Sequence, residues 1–404
     1  MGAEDRTRKG SRMERDALVR EGLRERKLDG FLAFLPENIL FLGGFWPSAA
    51  AALVRPADGK PVLIIPKPDE ELVPSGWHGD VWAYNTRLDD DPTDVYIAKL
   101  IRQAAEKYGL QNSSWGCDRD METVCGTHVG GVAYVPGKPF YRLLRTTLEG
   151  AQLEDQTSWL YEMRMRKTVD EILALKRCNE IVDHALEQAR ERLVDGMKET
   201  ELAAVIESSI QAYGVGYKGV RRARGFAFVM SGPQNTMTAW GAYNISTDRV
   251  IRKGDLVLIE LDTHADGFWS DISRTFVVDR PDGKQKEIWD AVRRCQELTI
   301  KSLKVGAKIS TVDEKARSIL RDAGYAEHFL HHIGHGVGFA FHEMPYLDPP
   351  SRVRTDYTIE TGMVFAIEPG VYIEGLGGLR IEDNVYMTEN GAEYLSTSGR
   401  GLTR

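Results

Sequence analysis

The chain has few cysteines, no long apolar run and no excess of basic charge. Its four cysteines in 404 residues show no C-x-x-C spacing, which disfavours a thiolate zinc site or a redox dithiol. No apolar run approaches the roughly 18 residues of a membrane-spanning helix, and the polar N-terminus lacks the apolar segment of a signal peptide. We therefore expect a cytoplasmic protein with reduced cysteines and no membrane partner. The net charge of −8 disfavours a nucleic-acid partner.

Two regions of different organisation follow one another along the chain. The composition, 42% hydrophobic and 28% charged, is typical of globular proteins. In the first region, the short apolar runs 30–35 and 61–66 indicate buried strands, and the stretches 12–26 and 93–107 indicate helices. This alternation predicts an α/β domain over residues 1–159.

The second region, residues 160–404, is predicted to be α+β, with helices grouped around an antiparallel sheet. Thr168 and Glu171 have the spacing of a capping box, which marks the start of a long amphipathic helix. Between and after the helices lie segments rich in Val, Ile and Phe. Further helices are predicted at residues 199–212, 285–303 and 311–323.

Five of the nine histidines fall within fifteen residues of the second region: His328, His331, His332, His335 and His342. A single histidine is most often a buried structural residue. His335, however, lies between Gly334 and Gly336, and glycines allow another segment to approach the backbone closely. The clustering and the glycines together favour a functional role for His335.

A predicted β-hairpin brings acidic side chains together. Glu260 and Asp262 lie in an apolar strand and share one face, because strand side chains alternate with a period of two. Asp266-Gly267 is a turn signal, and a two-residue turn there places Asp262 opposite Asp271. Converging carboxylates are costly on an apolar face unless a cation or a proton separates them. The alternative, an exposed sheet face, fits the apolar flanking residues poorly.

Two further acids, Glu368 and Glu382, occupy apolar strand contexts, and Arg380 shares a strand face with Glu382. Together with the hairpin acids and His335 they form a set of mainly oxygen ligands. Such a set suits a hard or borderline divalent ion, with manganese as the first candidate and cobalt, zinc or iron as others. The number of acids fits two ions about 3.5–4 Å apart, which would activate a water molecule and polarise a carbonyl group.

The order Asp, Asp, His, Glu, Glu resembles that of the pita-bread metallopeptidases, the family of aminopeptidase P, prolidase and their creatinase-like relatives. The resemblance covers residues 160–395 and implies a pita-bread catalytic domain and a homodimer. It is carried by these motifs: Asp271-Ile-Ser-Arg-Thr-Phe, Gly334-His335-Gly336-Val337-Gly338, His342-Glu-Met-Pro, Glu368-Pro-Gly and Arg380-Ile-Glu-Asp. Residues 38–45 also resemble the start of the N-terminal domain of aminopeptidase P, prolidase and creatinase, a domain that methionine aminopeptidases usually lack.

The resemblance also implies roles for individual side chains. Glu368 is the candidate general base, which shares the proton of the attacking water while it binds metal. His342 resembles the family's substrate-contacting histidine and would donate to the developing oxyanion or hold the substrate carbonyl. Arg380 would support the Glu382 side or bind a substrate carboxylate.

Two positions depart from the family pattern. At the usual eleven-residue spacing before Asp271, this chain has Glu260 where an aspartate is expected, and Asp262 stands where the family usually has glycine. The hairpin favours Asp262 as the first ligand and the spacing favours Glu260, so both remain candidates. In a segment that resembles the peptidases' substrate-binding loop, Trp240 or its neighbour replaces a histidine. Trp240 would pack against an apolar or cationic ligand, or form a wall of the core.

The sequence therefore predicts a metal-dependent hydrolase of the Xaa-Pro peptidase family, in which a metal-activated water attacks an amide bond of a short peptide or peptide-like substrate. The missing histidine leaves a second hypothesis open: a non-peptidase enzyme on the same scaffold. That enzyme would be a creatinase-like amidinohydrolase, although creatinase works without metal, or a lyase acting on a small zwitterion. The retained acids disfavour a non-catalytic binding module. We expect weak activity on generic Xaa-Pro peptides and better activity on a compact, cationic amide.

Overall fold

The computed structural model describes residues 3–85, 92–119, 137–241, 245–350 and 355–403, with the backbone alone for residues 3–12. The described chain forms two compact units. The first contains the described residues up to Arg164 together with Thr168–Asp170. The second contains Met165–Lys167 and the described residues from Glu171 onwards. The division lies a few residues beyond the predicted boundary at residue 160.

A six-stranded mixed sheet is the centre of the first unit. Its strands are β1 (Gly30–Ala33), β2 (Ala52–Pro56), β3 (Val62–Pro66), β4 (Asp80–Tyr84), β5 (Ser114–Cys117) and β6 (Gln152–Asp155), in the spatial order β4-β3-β2-β1-β5-β6. Its helices are α1 (Ala3–Glu25), α2 (Pro36–Gly43), α3 (Thr93–Lys107), α4 (Lys138–Thr147) and α5 (Thr157–Arg164). Apolar residues of α3 and α4 pack with those of the strands in one buried cluster. The predicted strands at 30–35 and 61–66 and the helix at 93–107 are confirmed.

The second unit contains a three-stranded sheet, a five-stranded sheet and a two-stranded ribbon. The helices are α6 (Val169–Arg192, its first two residues grouped with the first unit), α7 (Glu199–Gly214), α8 (Gly232–Met237), α9 (Gly283–Ser302) and α10 (Ser310–Asp322). The strands are β7 (Ala223–Ser231), β8 (Leu256–Ala265), β9 (Phe268–Val277), β10 (Gly334–Gly336), β11 (Glu343–Tyr346), β12 (Val364–Ile367), β13 (Gly370–Ile373), β14 (Gly377–Arg380), β15 (Asp383–Thr388) and β16 (Gly391–Tyr394).

Alternation along the strands separates the core from the acidic residues. In β8, Ile259 and Leu261 join a buried cluster with apolar residues of α6 and α7, so Glu260 and Asp262 face the opposite side of the sheet β7-β8-β9. Around β14, Leu379 and Ile381 pack into a cluster with α9 and α10. The apolar residues next to each of these acids therefore pack in the core and hold the strand, while the acid itself lies on the other face.

Three cysteines in the described chain, Cys117, Cys178 and Cys295, are buried and free, and Cys125 lies outside the described residues. Burial raises the pKa of the Cys117 and Cys295 thiols to about 12, so both are protonated at neutral pH. Within the described residues, no helix is long and apolar enough to cross a bilayer.

Candidate metal centre and active site

Strands β8 and β9 form the predicted hairpin, and Asp262 pairs with Asp271 across it. Its turn is Asp266-Gly267, whose φ angles of 50° and 90° lie in the left-handed region that a type I′ turn requires. The Asp266 carboxylate accepts hydrogen bonds from the backbone N–H groups of Arg221 (3.2 Å) and Arg222 (2.9 Å). The turn fixes the register of the two strands. This register matters for the site, because a one-residue slip would move both acids to the face that the helices cover.

The hairpin acids are buried together. Asp271 is 0% exposed, Asp262 3% and Glu260, two residue pairs further from the turn, 9%. Burial, reinforced by the charges of neighbouring acids, raises the pKa values of Asp262, Asp271 and Glu382 well above their ordinary range. A cation at this position would relieve the repulsion and allow the acids to ionise.

Glycines bring His335 close to the buried acids, because they let β10 pair closely with β11 on one side and with β12 on the other. A Cβ atom at Gly334 would lie 1.9 Å from the carbonyl oxygen of Ala366 in β12. A Cβ atom at Gly336 would lie 2.3 Å from the carbonyl oxygen of Met344 in β11. Both glycines are therefore sterically required for the ladder in which His335 lies.

The orientation of His335 leaves one ring nitrogen available as a ligand. Nδ1 lies 3.0 Å from the carbonyl oxygen of Gly336 and donates to it, so Nε2 carries the lone pair. Nε2 is 3.5 Å from Asp271 Oδ2 and 3.5 Å from Glu368 Oε1. Burial lowers the pKa of His335, which keeps the imidazole neutral, as a metal ligand must be.

The two glutamates are placed by backbone hydrogen bonds. Glu368 follows β12 directly, and its N–H donates to the carbonyl oxygen of Ile333 (2.8 Å). Glu382 lies between β14 and β15, and its N–H donates to the carbonyl oxygen of Ser273 in β9 (3.1 Å). These bonds bring both acids, from the C-terminal part of the chain, next to the hairpin and to β10.

The candidate ligand side chains form overlapping groups, and within each group the ligand atoms lie within 4.8 Å of one another. The three groups found among the described residues are Asp271, His335 and His342; His335, Glu368 and Glu382; and Glu260, Asp271 and Glu382. Asp271, His335 and Glu382 each belong to two groups, an arrangement that two neighbouring ions sharing carboxylate ligands would require. Asp262 belongs to none of the three.

Unsatisfied atoms show that these residues fit a metal ion. Within the described part of the chain, several buried ligand atoms have no hydrogen-bond partner: Asp262 Oδ1, both carboxylate oxygens of Asp271, His335 Nε2 and Glu382 Oε1. Each such atom costs about 1–3 kcal/mol when it is buried without a partner. Coordination of a divalent cation by these oxygen and nitrogen atoms would remove that cost.

Arg380 is held inside the protein by contacts with the acidic side of the centre. Its Nη2 contacts Glu260 Oε2, its Nε donates to Ser273 Oγ (2.8 Å), and its Nη1 donates to the carbonyl oxygen of Ala239 (2.7 Å). Ser273 Oγ also bonds Glu382 Oε2 (2.6 Å). The resemblance implies two roles for Arg380. These contacts favour the first role, support of the Glu260 and Glu382 side of the centre, over the second, binding of a substrate carboxylate.

His342 and Trp240 lie at more accessible positions. His342 Nε2 is 3.2 Å from Asp271 Oδ2, its ring centroid is 3.9 Å from that of His335, and its side chain is 20% exposed. Trp240 ends the short 3-10 turn Thr238–Trp240 and is 49% exposed, so it is not a wall of the core. The neighbouring residues 242–244 lie outside the described part of the chain.

The sequence patterns predicted no role for two histidines beside Glu368, His331 and His332, or for their partners Tyr372 and Asp348. His331 Nε2 lies 3.0 Å from the hydroxyl oxygen of Tyr372, and His332 lies between Asp348 and Glu368. Burial alone would raise the pKa of Glu368, but the neighbouring histidines, His332 above all, outweigh burial and hold the pKa of Glu368 below its ordinary value. The histidine cluster was the available signal, whereas the partners are distant in sequence.

Comparison with known proteins supports this picture for both units. Residues 174–389 match the model of metallopeptidase family M24, and residues 15–166 match that of the creatinase/prolidase N-terminal domain. The chain is 36% identical to the Xaa-Pro dipeptidase of Pyrococcus furiosus over 242 residues, which is 60% of this chain and 66% of that protein, just under two thirds of its length. It is 29% identical to the Xaa-Pro dipeptidase of Lactobacillus delbrueckii subsp. lactis over 385 residues, 94% of this chain and 96% of that protein.

Solved structures confirm the predicted architecture of an α/β N-terminal domain followed by a pita-bread domain. The prolidase from Pyrococcus horikoshii OT3 superposes with a TM-score of 0.77 at 26% identity, covering 96% of this chain and 99% of that one. The Xaa-Pro dipeptidase from Bacillus anthracis gives a TM-score of 0.79 at 25% identity, covering 97% and 99%. The M24 match spans more than half of the chain and includes every candidate ligand. The chain therefore belongs to metallopeptidase family M24.

Proposed function

We propose that the protein is a metal-dependent dipeptidase that hydrolyses the bond between an N-terminal residue and proline. The observation that carries the proposal is the buried cluster of acids and His335, in which several ligand atoms have no hydrogen-bond partner among the described residues. Similarity to Xaa-Pro dipeptidases supports the choice of substrate.

Two divalent ions are the proposed cofactor, with manganese as the first candidate because most of the donors are carboxylate oxygens. When bound, such ions polarise a carbonyl group and make a water molecule acidic enough to act as a nucleophile at neutral pH. The residues that would hold them are Asp271, His335, Glu368 and Glu382, completed by Glu260, Asp262 or both.

Three side chains have proposed roles in the reaction. Glu368 accepts the proton of the attacking water as general base; its pKa lies below the ordinary value, so the carboxylate is ionised and able to take up that proton. His342, next to Asp271 and partly exposed, donates a hydrogen bond to the substrate carbonyl as it becomes an oxyanion. Arg380 keeps Glu260 and Ser273 in place.

We also propose that the protein acts in the cytoplasm as a homodimer. The family resemblance supports the dimer, and the buried, unpaired thiols of Cys117, Cys178 and Cys295 are compatible with a reducing compartment. Sedimentation at working concentrations tests the dimer: a monomer with full turnover would contradict it.

A second candidate is a non-peptidase hydrolase or lyase acting on a small zwitterion. One observation favours it: the chain has no histidine between His184 and His264, the interval in which the peptidases place a substrate-binding histidine. Trp240 in this interval offers an exposed aromatic face that suits a methylated or ring-bearing ligand.

A substrate panel distinguishes the two candidates. Purified, manganese-supplemented enzyme is given Xaa-Pro dipeptides, matched Xaa-Ala dipeptides, small betaines and guanidino acids. A dipeptidase releases proline, and His335→Ala abolishes that release, whereas His184→Ala, on α6 and stacked on Tyr213, leaves it unchanged. Turnover of a betaine or guanidino acid without proline release would support the second candidate and overturn the first.

A further inference from the structure

His332 connects Glu368 to an acid that lies farther from the candidate centre. Its Nδ1 is 3.2 Å from Asp348 Oδ1, and its Nε2 is 3.5 Å from Glu368 Oε1. Carboxylate oxygens only accept hydrogen bonds, so Nδ1 donates to Asp348, while Nε2 faces Glu368 at ion-pair distance. The ring thus forms a bridge from Asp348 to the same Glu368 oxygen that faces His335 Nε2.

The backbone holds the bridge at a fixed place. The β10–β12 pairing ends with Gly334 opposite Ile367, and the next link is the hydrogen bond from Glu368 N–H to the carbonyl oxygen of Ile333. His332 and Glu368 therefore lie next to one another at the end of this ladder. The ring of Tyr346, at the end of β11, is nearly parallel to that of His332, with an interplanar angle of 18°.

Glu368 needs such support because of its place in the chain. It lies outside β12, in the short turn that leads to β13, and its flexible side chain must be fixed in one conformation to act on a metal-bound site. Fixing a long side chain of this kind costs up to about 1.5–2 kcal/mol in conformational entropy. Contact with the His332 ring, which is held by its hydrogen bond to Asp348 and lies beside Tyr346, offsets part of that cost.

We propose that His332, oriented by Asp348, is a positioning residue that holds the Glu368 carboxylate in the geometry of the metal centre. The inference rests on the proposed function, in which Glu368 binds metal, and adds two residues to it. Outer partners of this kind typically change metal affinity by about 10- to 100-fold when they are removed.

A purely electrostatic role of His332 predicts the opposite change in metal affinity when this residue is removed. A protonated His332 ring would carry a positive charge, and a positive charge beside the centre repels a cation. If charge alone mattered, removal of His332 would tighten metal binding, and the neutral His332→Gln would tighten it as well. A positioning role predicts that His332→Ala weakens binding and that His332→Gln, which keeps one N–H donor, retains most of the affinity.

The test is the affinity of the metal-stripped, full-length protein for Co²⁺ alone, measured by calorimetry and by the visible absorption of the bound ion. We expect His332→Ala and Asp348→Ala to weaken binding by about 10- to 100-fold, and His332→Gln to stay within a few-fold of wild type. The matched control is His328→Ala, from the same histidine cluster, whose ring lies near Tyr325. Circular dichroism of the metal-free variants checks their fold, and Asp348→Ala, more distant from the centre, keeps the test valid if His332→Ala does not fold.

Glu368→Ala separates failure of this inference from failure of the proposed function. If Glu368→Ala weakens Co²⁺ binding but His332→Ala leaves it unchanged or tighter, the positioning role is overturned and the metal assignment stands. If Glu368→Ala also leaves binding unchanged, the assignment of Glu368 as a ligand, and with it the proposed function, is overturned.

Discussion

Two acids of β8 point to the same face of the sheet but have different surroundings. Glu260 lies within 4.8 Å of ligand atoms of Asp271 and Glu382, although Arg380 and Ser273 also contact it. Asp262 belongs to no such group among the described residues, although its Oδ1 lacks a hydrogen-bond partner there.

We therefore expect Glu260→Gln to lower metal content more than Asp262→Asn does, toward one ion per chain rather than two, because one group of oxygen ligands loses its charge. Elemental analysis of the two proteins, prepared in parallel, measures this difference. The reverse ranking would make Asp262 the first ligand, as the hairpin alone suggested.

His342 and Trp240 are expected to affect different kinetic constants. His342 lies next to Asp271, so His342→Ala should lower kcat by about 10²–10³-fold, the usual effect of removing one oxyanion donor. Trp240 is half-exposed, and an indole cannot act as an acid or base, so Trp240→Ala should change KM with little effect on kcat. Steady-state kinetics on a Xaa-Pro dipeptide measures both. Efficient cleavage of many dipeptides, unchanged by Trp240→Ala, would show that the missing histidine has no consequence.

At the scale of elements, the close pairing of strand β10 with its neighbours depends on the glycines of β10. Gly334→Ala would drive a Cβ atom into the backbone of β12, and we expect it to lower the free energy of unfolding by about 1–3 kcal/mol. It should also reduce metal content, because His335 is the next residue. The control is Gly283→Ala at the start of α9, where an added Cβ meets no atom within 4 Å. Urea denaturation followed by far-UV circular dichroism compares them; equal stability of the two variants would contradict the steric argument.

The hairpin shows which parts of the site could be predicted from the sequence. Period-two alternation and the Asp266-Gly267 turn are local signals, and they gave the pairing of Asp262 with Asp271 that the structure has. The glycines around His335 also indicated a close approach, which Ala366 and Met344 provide.

Contacts between distant segments could not be predicted in the same way. Ser273 joins Glu382 and Arg380 from more than 100 residues away. His332 joins Asp348 and Glu368 only because β10, β11 and β12 pair side by side. Nothing in local spacing specifies these contacts, since they depend on how the sheets fold together.

At the scale of the whole molecule, metal removal should affect the two units differently. The candidate ligands all belong to the second unit, where metal loss leaves several acids buried together. A bound ion stabilises by about 2.7 kcal/mol when its concentration is 100 times Kd. Calorimetry should therefore show that the second unit unfolds at a lower Tm with chelator than without it. Unchanged thermograms would contradict a metal contribution to its stability.

The central claim is that the buried acids and His335 hold the metal with which the protein hydrolyses Xaa-Pro bonds. The most direct measurement is proline release from one Xaa-Pro dipeptide by the same protein sample as purified, after chelation, and after stepwise return of Mn²⁺. The account predicts that chelation abolishes proline release and that it returns as about two ions bind per chain. Full proline release in excess chelator would contradict it.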